Sequence, residues 1–139
     1  MVEGRILALD FGTVRIGAAI SDGLGMTAQP LPYIQNNHGV WEPGFKKILA
    51  EYDVRTVLIG LPKNRDGGES AQSEVVRQFA KAVETLSGLS VVFYDERFST
   101  AAVTKQLLSA NVRRDKRKEV VDSLSAAYVL QGYLDKTVN

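Results

Sequence analysis

Four acidic side chains have the types and positions that could do chemistry in this 139-residue chain. Asp10 ends one short apolar run, and Asp95 and Glu96 follow directly after another. Asp122 stands among apolar neighbours in a helical pattern near the carboxyl terminus. Burying a carboxylate is costly unless a metal ion or a network of hydrogen bonds compensates its charge. Taken alone, Asp10 could simply start a turn and Asp122 could complement a helix dipole.

Taken together, the acids indicate a site for hard divalent cations. The chain has no cysteine and one histidine, His38, which lies in a polar turn. Disulfides, thiolate metal sites and His-rich zinc sites are therefore excluded. Three or so carboxylates without such partners favour Mg²⁺ or Mn²⁺. Because two ions of this kind stabilise the attacking and leaving oxygens of a phosphodiester, the predicted chemistry is phosphodiester hydrolysis.

Basic residues accompany the acids. Lys63 and Arg65 follow a strand-like run, and Arg97 is next to Glu96. Five more basic residues precede the last acid: Arg113, Arg114, Lys116, Arg117 and Lys118. The formal net charge is only +1, so a nucleic-acid partner would have to be met by such local patches. These side chains are predicted to hold a phosphate backbone without reading its sequence, although a solvated run of charges is the alternative.

Apolar periodicity predicts the elements that must position these side chains. Strands are predicted at 6–9, 16–20, 29–34, 56–61 and 89–94, and helices at 40–52, 72–86, from 99 or 100 to 109, and at 118–136. The inward face of the helix at 72–86 is predicted to carry Val75, Val76, Phe79, Ala82, Val83 and Leu86. The order β-β-β-α-β-α-β-α-α predicts one α/β domain, residues 1–139, with a mixed five-stranded sheet and helices on both of its faces.

The predicted topology brings the acids to one end of the sheet. Helical crossovers make the first, fourth and fifth strands parallel, so their carboxyl ends lie side by side, where α/β sheets bind ligands. Alternation along the fifth strand puts Tyr94 and Glu96 on one face and Asp95 on the other. One member of the Asp95–Glu96 pair can therefore meet Asp10, and the sequence leaves open which one.

Four motifs resemble one known family when they are taken in order and spacing. They are LALDFGTVRIG, IGLPKNRDGG, YDERFST and VDSLSAAYVLQGYL, and the resemblance to the YqgF family extends from Ile6 to about Leu134. It implies an RNase H-like fold, a phosphodiesterase that uses Mg²⁺ or Mn²⁺, and Asp10, Glu96 and Asp122 as the catalytic metal-binding acids. The sequence departs from the family at Lys63 and Arg65, where relatives often have apolar or neutral residues; this concerns substrate preference.

The family is described both as candidate pre-16S rRNA nucleases and as candidate Holliday-junction resolvases. We therefore expect a nuclease that processes the 5′ end of pre-16S rRNA in ribosome biogenesis, with cleavage of four-way DNA junctions as the alternative. The partner would be structured RNA or branched DNA, and the protein a monomer or homodimer. Neither a membrane span nor a signal segment is found, so a soluble cytoplasmic protein is expected.

Two hypotheses from other classes compete with the nuclease. The segment Asp10-Phe11-Gly12-Thr13 also resembles the phosphate-binding hairpin of actin-like ATPases and sugar kinases. Those proteins close ATP between two such domains, and 139 residues hold only one. The other hypothesis is a non-catalytic nucleic-acid-binding module that keeps the fold. The intact set of acids argues against it.

Overall fold

A five-stranded mixed sheet with helices on both faces forms the part of the chain that the computed structural model describes, residues 4–63, 67–96 and 123–138. In chain order the elements are β1 (Arg5–Asp10), β2 (Arg15–Ser21), β3 (Ala28–Gln35), α1 (Glu42–Glu51), β4 (Val54–Leu61), α2 (Ala71–Ser87), β5 (Ser90–Asp95) and α3 (Leu124–Val138). The predicted fold class is confirmed. The helix predicted from 99 or 100 to 109 and the first residues of the last predicted helix lie outside the described residues.

The strand order is β3-β2-β1-β4-β5. Strand β1 pairs antiparallel with β2 and parallel with β4, and β4 pairs parallel with β5. The three parallel strands therefore end on the same side, as predicted, and we call this side the carboxyl end of the sheet. Because β2 is antiparallel to β1, β2 begins there. No helix among the described residues is long and apolar enough to cross a membrane.

Strand alternation divides the apolar side chains into two cores, one on each face of the sheet. Leu7 and Leu9 of β1 belong to the core that also contains the buried side chains of α1 and α2. Ala8 of β1 and Leu58 of β4 belong to the core under α3. We call this second side the α3 face. Any β1 residue two positions from Ala8 must also lie on the α3 face.

Helix α2 is amphipathic, but its buried face is narrower than the sequence predicts. Val76, Phe79 and Val83 are buried as expected. The inward positions predicted for Val75, Ala82 and Leu86 are wrong, because all three side chains are exposed, Val75 to 45% and Leu86 to 39%. They lie at the margin of the apolar stripe, where the helix surface turns away from the sheet.

The start of α2 is fixed to the loop that follows β4. Ser70 caps the helix by accepting a hydrogen bond from the Ser73 N–H, and the Ser73 side chain accepts one from the Ser70 N–H. Ser73 is fully buried, and its hydroxyl donates to the carbonyl of Pro62. At the other end Gly88 adopts the left-handed conformation, φ 70°, which glycine accommodates without strain at the end of a helix.

Helix α3 is attached at two points, one on β2 and one at the start of β3. The register of β2 with β3 shifts between Ile16 and Ala18, and next to this irregularity the Ala18 N–H donates to Ser123 Oγ at 3.1 Å. Near the opposite end of the sheet, Gln131 accepts from the Ala28 N–H at 2.9 Å and donates to the Met26 carbonyl at 3.0 Å. These bonds hold α3 along the face of β2, from the carboxyl end of the sheet to its other end.

Edge strand β3 presents few donors on its outer side. The Ala28 N–H points away from β2, because it donates to Gln131. Since N–H groups of alternate residues point to the same side of a strand, the ring nitrogens of Pro30 and Pro32 also lie on the outer side. Proline has no N–H, so the outer side of residues 28–32 offers no free backbone donor. This is the placement in which prolines are tolerated in a sheet.

Candidate active site

Asp10 lies at the carboxyl end of the sheet between two glycines. It is the last residue of β1, and it shares the α3 face with Ala8, two positions earlier. Gly17 of β2 is its antiparallel partner. On the β4 side, the register that pairs Leu9 with Ile59 continues to Gly60. The Asp10 carboxyl is therefore flanked by two positions without side chains.

Glu96 approaches Asp10 from the far side of β4. It follows β5 directly, and its carboxyl is hydrogen-bonded to that of Asp10. Its side chain lies on the backbone of Gly60, where a Cβ atom would be only 2.6 Å from Glu96 Oε1. The question left open by the sequence is thus resolved: Glu96, and not Asp95, meets Asp10. Tyr94 packs in the core under α3, so alternation turns Asp95 to the other face.

The two carboxyl groups are electrostatically coupled, because they are partly buried and in contact. Burial raises the pKa of Asp10, and its hydrogen bond with Glu96 opposes that shift. Burial, the hydrogen bond with Asp10 and the charges of Asp10 and Asp95 together raise the pKa of Glu96 to about 8, with burial the largest cause. Without a cation, one proton shared by the pair relieves the repulsion at neutral pH.

This pair has the donor chemistry that a hard divalent cation requires. Both ligating groups are carboxylates in contact, and a cation placed between them would replace the shared proton. No group of three His, Cys, Asp or Glu side chains comes together among residues 4–63, 67–96 and 123–138. The third predicted acid, Asp122, lies outside the described residues. The first described residue after it is Ser123, whose side chain contacts Ala18.

One of the predicted phosphate-binding residues is in the described part of the chain. Lys63 follows β4 at the carboxyl end of the sheet and forms an isolated β-bridge with Glu69. The Glu69 carboxylate accepts two hydrogen bonds from Arg77, at 2.6 and 2.7 Å, and Arg77 lies over the ring of Phe93. These contacts link Lys63, through Glu69, to Arg77 of α2. The other predicted basic residues lie outside the described residues: Arg65, Arg97, Arg113, Arg114, Lys116, Arg117 and Lys118.

Sequence reasoning missed Arg15, which is close to Asp10 in the fold. It begins β2 at the carboxyl end of the sheet, two residues before the partner of Asp10, and therefore lies on the α3 face. Its side chain is exposed, and its guanidinium lies 5.2 Å from the ring centroid of Tyr33 on β3. The sequence did contain a signal for Arg15, because this residue lies within the motif LALDFGTVRIG, five residues after Asp10.

The turn between β1 and β2 is held by hydrogen bonds from Asn36 to its carbonyl groups. Asn36 donates from its side chain to the Gly12 carbonyl at 3.0 Å and from its N–H to the Val14 carbonyl at 2.9 Å. A Cβ atom at Gly12 would collide with the Arg15 carbonyl, so only glycine fits this bend. Asn36 is buried, and sequence reasoning did not mark it.

Comparison with known proteins places the chain in a family. The family model described as "RuvX: Holliday junction resolvase" matches residues 4–136. A relative from Bacillus cereus (strain AH187), named as a candidate pre-16S rRNA nuclease, is 45% identical over 135 residues, or 95% of this chain and 98% of the relative. A relative with the same name from Bacillus thuringiensis (strain Al Hakam) is 46% identical over 134 residues, or 94% of this chain and 98% of the relative.

A solved structure has the same fold. It is "T. thermophilus RuvC in complex with Holliday junction substrate", with a TM-score of 0.53, 11% identity, and coverage of 98% of this chain and 96% of that chain. The RNase H-like fold that the resemblance implies is thereby confirmed. The predicted family is confirmed as well, since the family model and the relatives match almost the whole sequence: the chain belongs to the RuvX family, also called the YqgF family.

Proposed function

We propose that this protein is a nuclease that hydrolyses phosphodiester bonds of structured nucleic acid with the help of Mg²⁺ or Mn²⁺. The observation that carries the proposal is the contact between the carboxyl groups of Asp10 and Glu96 at the carboxyl end of the sheet. Membership of the RuvX family supports it, because the family is described as Holliday junction resolvases and its relatives are named as nucleases.

Asp10 and Glu96, joined by Asp122, would hold the metal ions. When bound, such ions stabilise the negative charge that develops on the phosphate during in-line displacement. The support for Asp122 comes from its covalent neighbour. Ser123 accepts a hydrogen bond from the Ala18 N–H, and Ala18 pairs with Leu9, the residue before Asp10. The chain therefore passes close to Asp10 one residue after Asp122.

Basic residues would hold the nucleic-acid backbone on both sides of the acids. Lys63, together with Arg65, would act from the β4 side, and Arg15 from the β2 side. Arg97 and the cluster of Arg113, Arg114, Lys116, Arg117 and Lys118 would complete the contacts. Such phosphate contacts position a substrate without reading its sequence.

We infer that the substrate is the 5′ end of pre-16S rRNA, so that the protein acts in ribosome biogenesis in the cytoplasm. The names of relatives that match 94–95% of the chain support this choice. The family description favours the second candidate, a four-way DNA junction. A junction resolvase would act as a homodimer to cut two strands symmetrically, whereas a monomer suits RNA processing. We do not favour the ATPase hypothesis, because both sequence comparisons name proteins that act on nucleic acids.

The test is cleavage of two matched substrates, a precursor 16S rRNA 5′ end and a four-way DNA junction, in Mn²⁺. Asp10→Asn should lower the cleavage rate at least about 100-fold while substrate binding is kept, because a metal ligand is lost and the fold is not. Asp53→Asn is the matched control, since Asp53 is exposed and lies at the opposite end of the sheet. Unchanged cleavage by Asp10→Asn would contradict the proposal. Preference for the junction would identify DNA as the substrate.

A further inference from the structure

Gly60 of β4 lies beneath the side chain of Glu96, which crosses this strand to reach Asp10. Asp10 ends β1 and Glu96 follows β5, and these strands are not neighbours, because β4 runs between them. Two strand spacings of about 4.8 Å separate the backbones of β1 and β5 by roughly 10 Å. A carboxyl group that bridges this gap has to lie across the backbone of β4.

The contact distances at Gly60 show how closely the side chain lies on that backbone. A Cβ atom at residue 60 would be 2.6 Å from Glu96 Oε1, 3.1 Å from Cγ and 3.3 Å from Cδ. Every other described residue of β4 from Val57 to Leu61 carries a side chain, and all of these are buried. The strand therefore has one position without a Cβ atom, and Glu96 occupies the space above it.

We propose that Gly60 is a positioning residue, whose missing side chain lets Glu96 reach Asp10 and thereby sets the affinity of the site for a divalent cation. The inference rests on the proposed function, which assigns both acids to the metal. An added methyl group meets the mobile end of a glutamate and not another backbone. It should therefore displace the carboxyl group and leave the sheet intact.

The first experiment is calorimetric titration of Mn²⁺ into the full chain without nucleic acid. Gly60→Ala should weaken Mn²⁺ binding about 10- to 100-fold, the usual effect of changing a residue that orients a metal ligand. Its far-UV circular dichroism should match that of the wild type. The matched control is Gly23→Ala, because a Cβ atom at Gly23 meets nothing within 4 Å. An undiminished Mn²⁺ affinity of Gly60→Ala would overturn the proposal.

A double-mutant cycle tests whether the effect passes through Glu96. If it does, Gly60→Ala combined with Glu96→Ala should bind Mn²⁺ as weakly as Glu96→Ala alone. Additive losses would mean that the methyl group acts elsewhere, and would refute the role of Gly60. If Gly60→Ala alone does not fold, the double variant should fold, because the colliding side chain has been removed. If neither Gly60→Ala nor the double variant folds, the proposed role of Gly60 is likewise refuted.

The Asp10→Asn variant separates this proposal from the one on which it rests. Loss of Mn²⁺ binding in Asp10→Asn with full binding in Gly60→Ala would leave the nuclease proposal standing and remove only the role of Gly60. Full Mn²⁺ binding in Asp10→Asn would show that Asp10 does not hold the metal ion, and this result would refute both proposals.

Discussion

The contact between Asp10 and Glu96 brings together two groups that would both be anionic in water at neutral pH. Nothing in the sheet itself requires this approach, because β1 and β5 are separated by β4. Such a pair stores electrostatic repulsion that a bound cation or a shared proton relieves. Perturbed carboxyl groups of this kind cluster at functional sites, and this supports the chosen site independently of sequence comparison.

Arg15 provides a residue-scale test of substrate binding. Arg15→Ala should weaken binding of the RNA substrate to the Asp10→Asn protein, because one cation beside the acids is lost. If Arg15 contacts a phosphate, the negative slope of log affinity against log salt concentration should become less steep by about 1. Fluorescence anisotropy at several salt concentrations measures this slope.

The control for this measurement is Arg55→Ala. Arg55 is also exposed, but it is the second residue of β4, at the opposite end of the sheet, and it pairs with Asp53 at 3.1 Å. Its removal should leave the salt slope unchanged. Equal slopes for the Asp10→Asn protein alone, with Arg15→Ala and with Arg55→Ala would exclude Arg15 from the phosphate contacts.

The sequence predicted that an acid after β5 could meet Asp10, but it did not predict which residues make that contact possible. Asp10 and Glu96 were identified because acids after apolar strands are chemically unusual, and the family motifs contain them. Gly60 was part of a predicted strand, but its role depends on which side chain crosses it. The contact between Gly60 and Glu96 depends on tertiary structure, and the periodicity of apolar residues along the sequence does not reveal it. The sequence also left Asp95 and Glu96 as alternatives, because alternation assigns them to opposite faces without saying which face holds Asp10.

At the scale of elements, Ser123 connects the last helix to the first hairpin. Its hydroxyl is fully buried and accepts from the Ala18 N–H. Ser123→Ala should lower the free energy of unfolding by about 1–3 kcal/mol, because a buried donor loses its partner. Urea denaturation measures this change. Activity well below the melting temperature should also fall, since Asp122 precedes Ser123 in the chain.

Ser70→Ala is the comparison for that variant. Ser70 caps α2, and its removal should cost about 1 kcal/mol. The cap does not touch the acids, so cleavage at low temperature should be kept. A Ser123→Ala protein with wild-type stability would show that the bond to Ala18 contributes nothing.

Element types and order were predictable because each described element has a strong local signal. The alternating or continuous apolar runs predicted the five strands, and apolar residues at helical spacing predicted α1 and α2. Burial on α2 was predicted less well, since Val75 and Leu86 are apolar but face solvent. Periodicity fixes the direction of an apolar stripe, while its width depends on how far the neighbouring strands extend.

At the scale of the whole molecule, the outer side of β3 bears on the oligomeric state. Its prolines leave no free donor over residues 28–32, so a second sheet cannot pair along this stretch. Replacing both, as Pro30→Thr with Pro32→Thr, should produce concentration-dependent association, because two edge donors are restored. Light scattering after size exclusion measures the mass of the species.

Pro43→Ala is the control for that association. Pro43 lies in the first turn of α1 and not on the edge strand. It should leave the mass unchanged. If the double threonine variant keeps the mass of the wild type at all concentrations, the prolines do not protect this edge.

The two attachments of α3 have a consequence for how the enzyme is made. Ser123 is 105 residues from its partner Ala18, and Gln131 is 103 residues from its partner Ala28. During synthesis the hairpin that carries Asp10 leaves the ribosome long before these partners do. Contacts of such high sequence separation form late, because closing the long loop between them costs entropy first. With Asp122 in the proposed site, the growing chain would expose that site incomplete, and its hydrolytic activity would begin only when α3 docks.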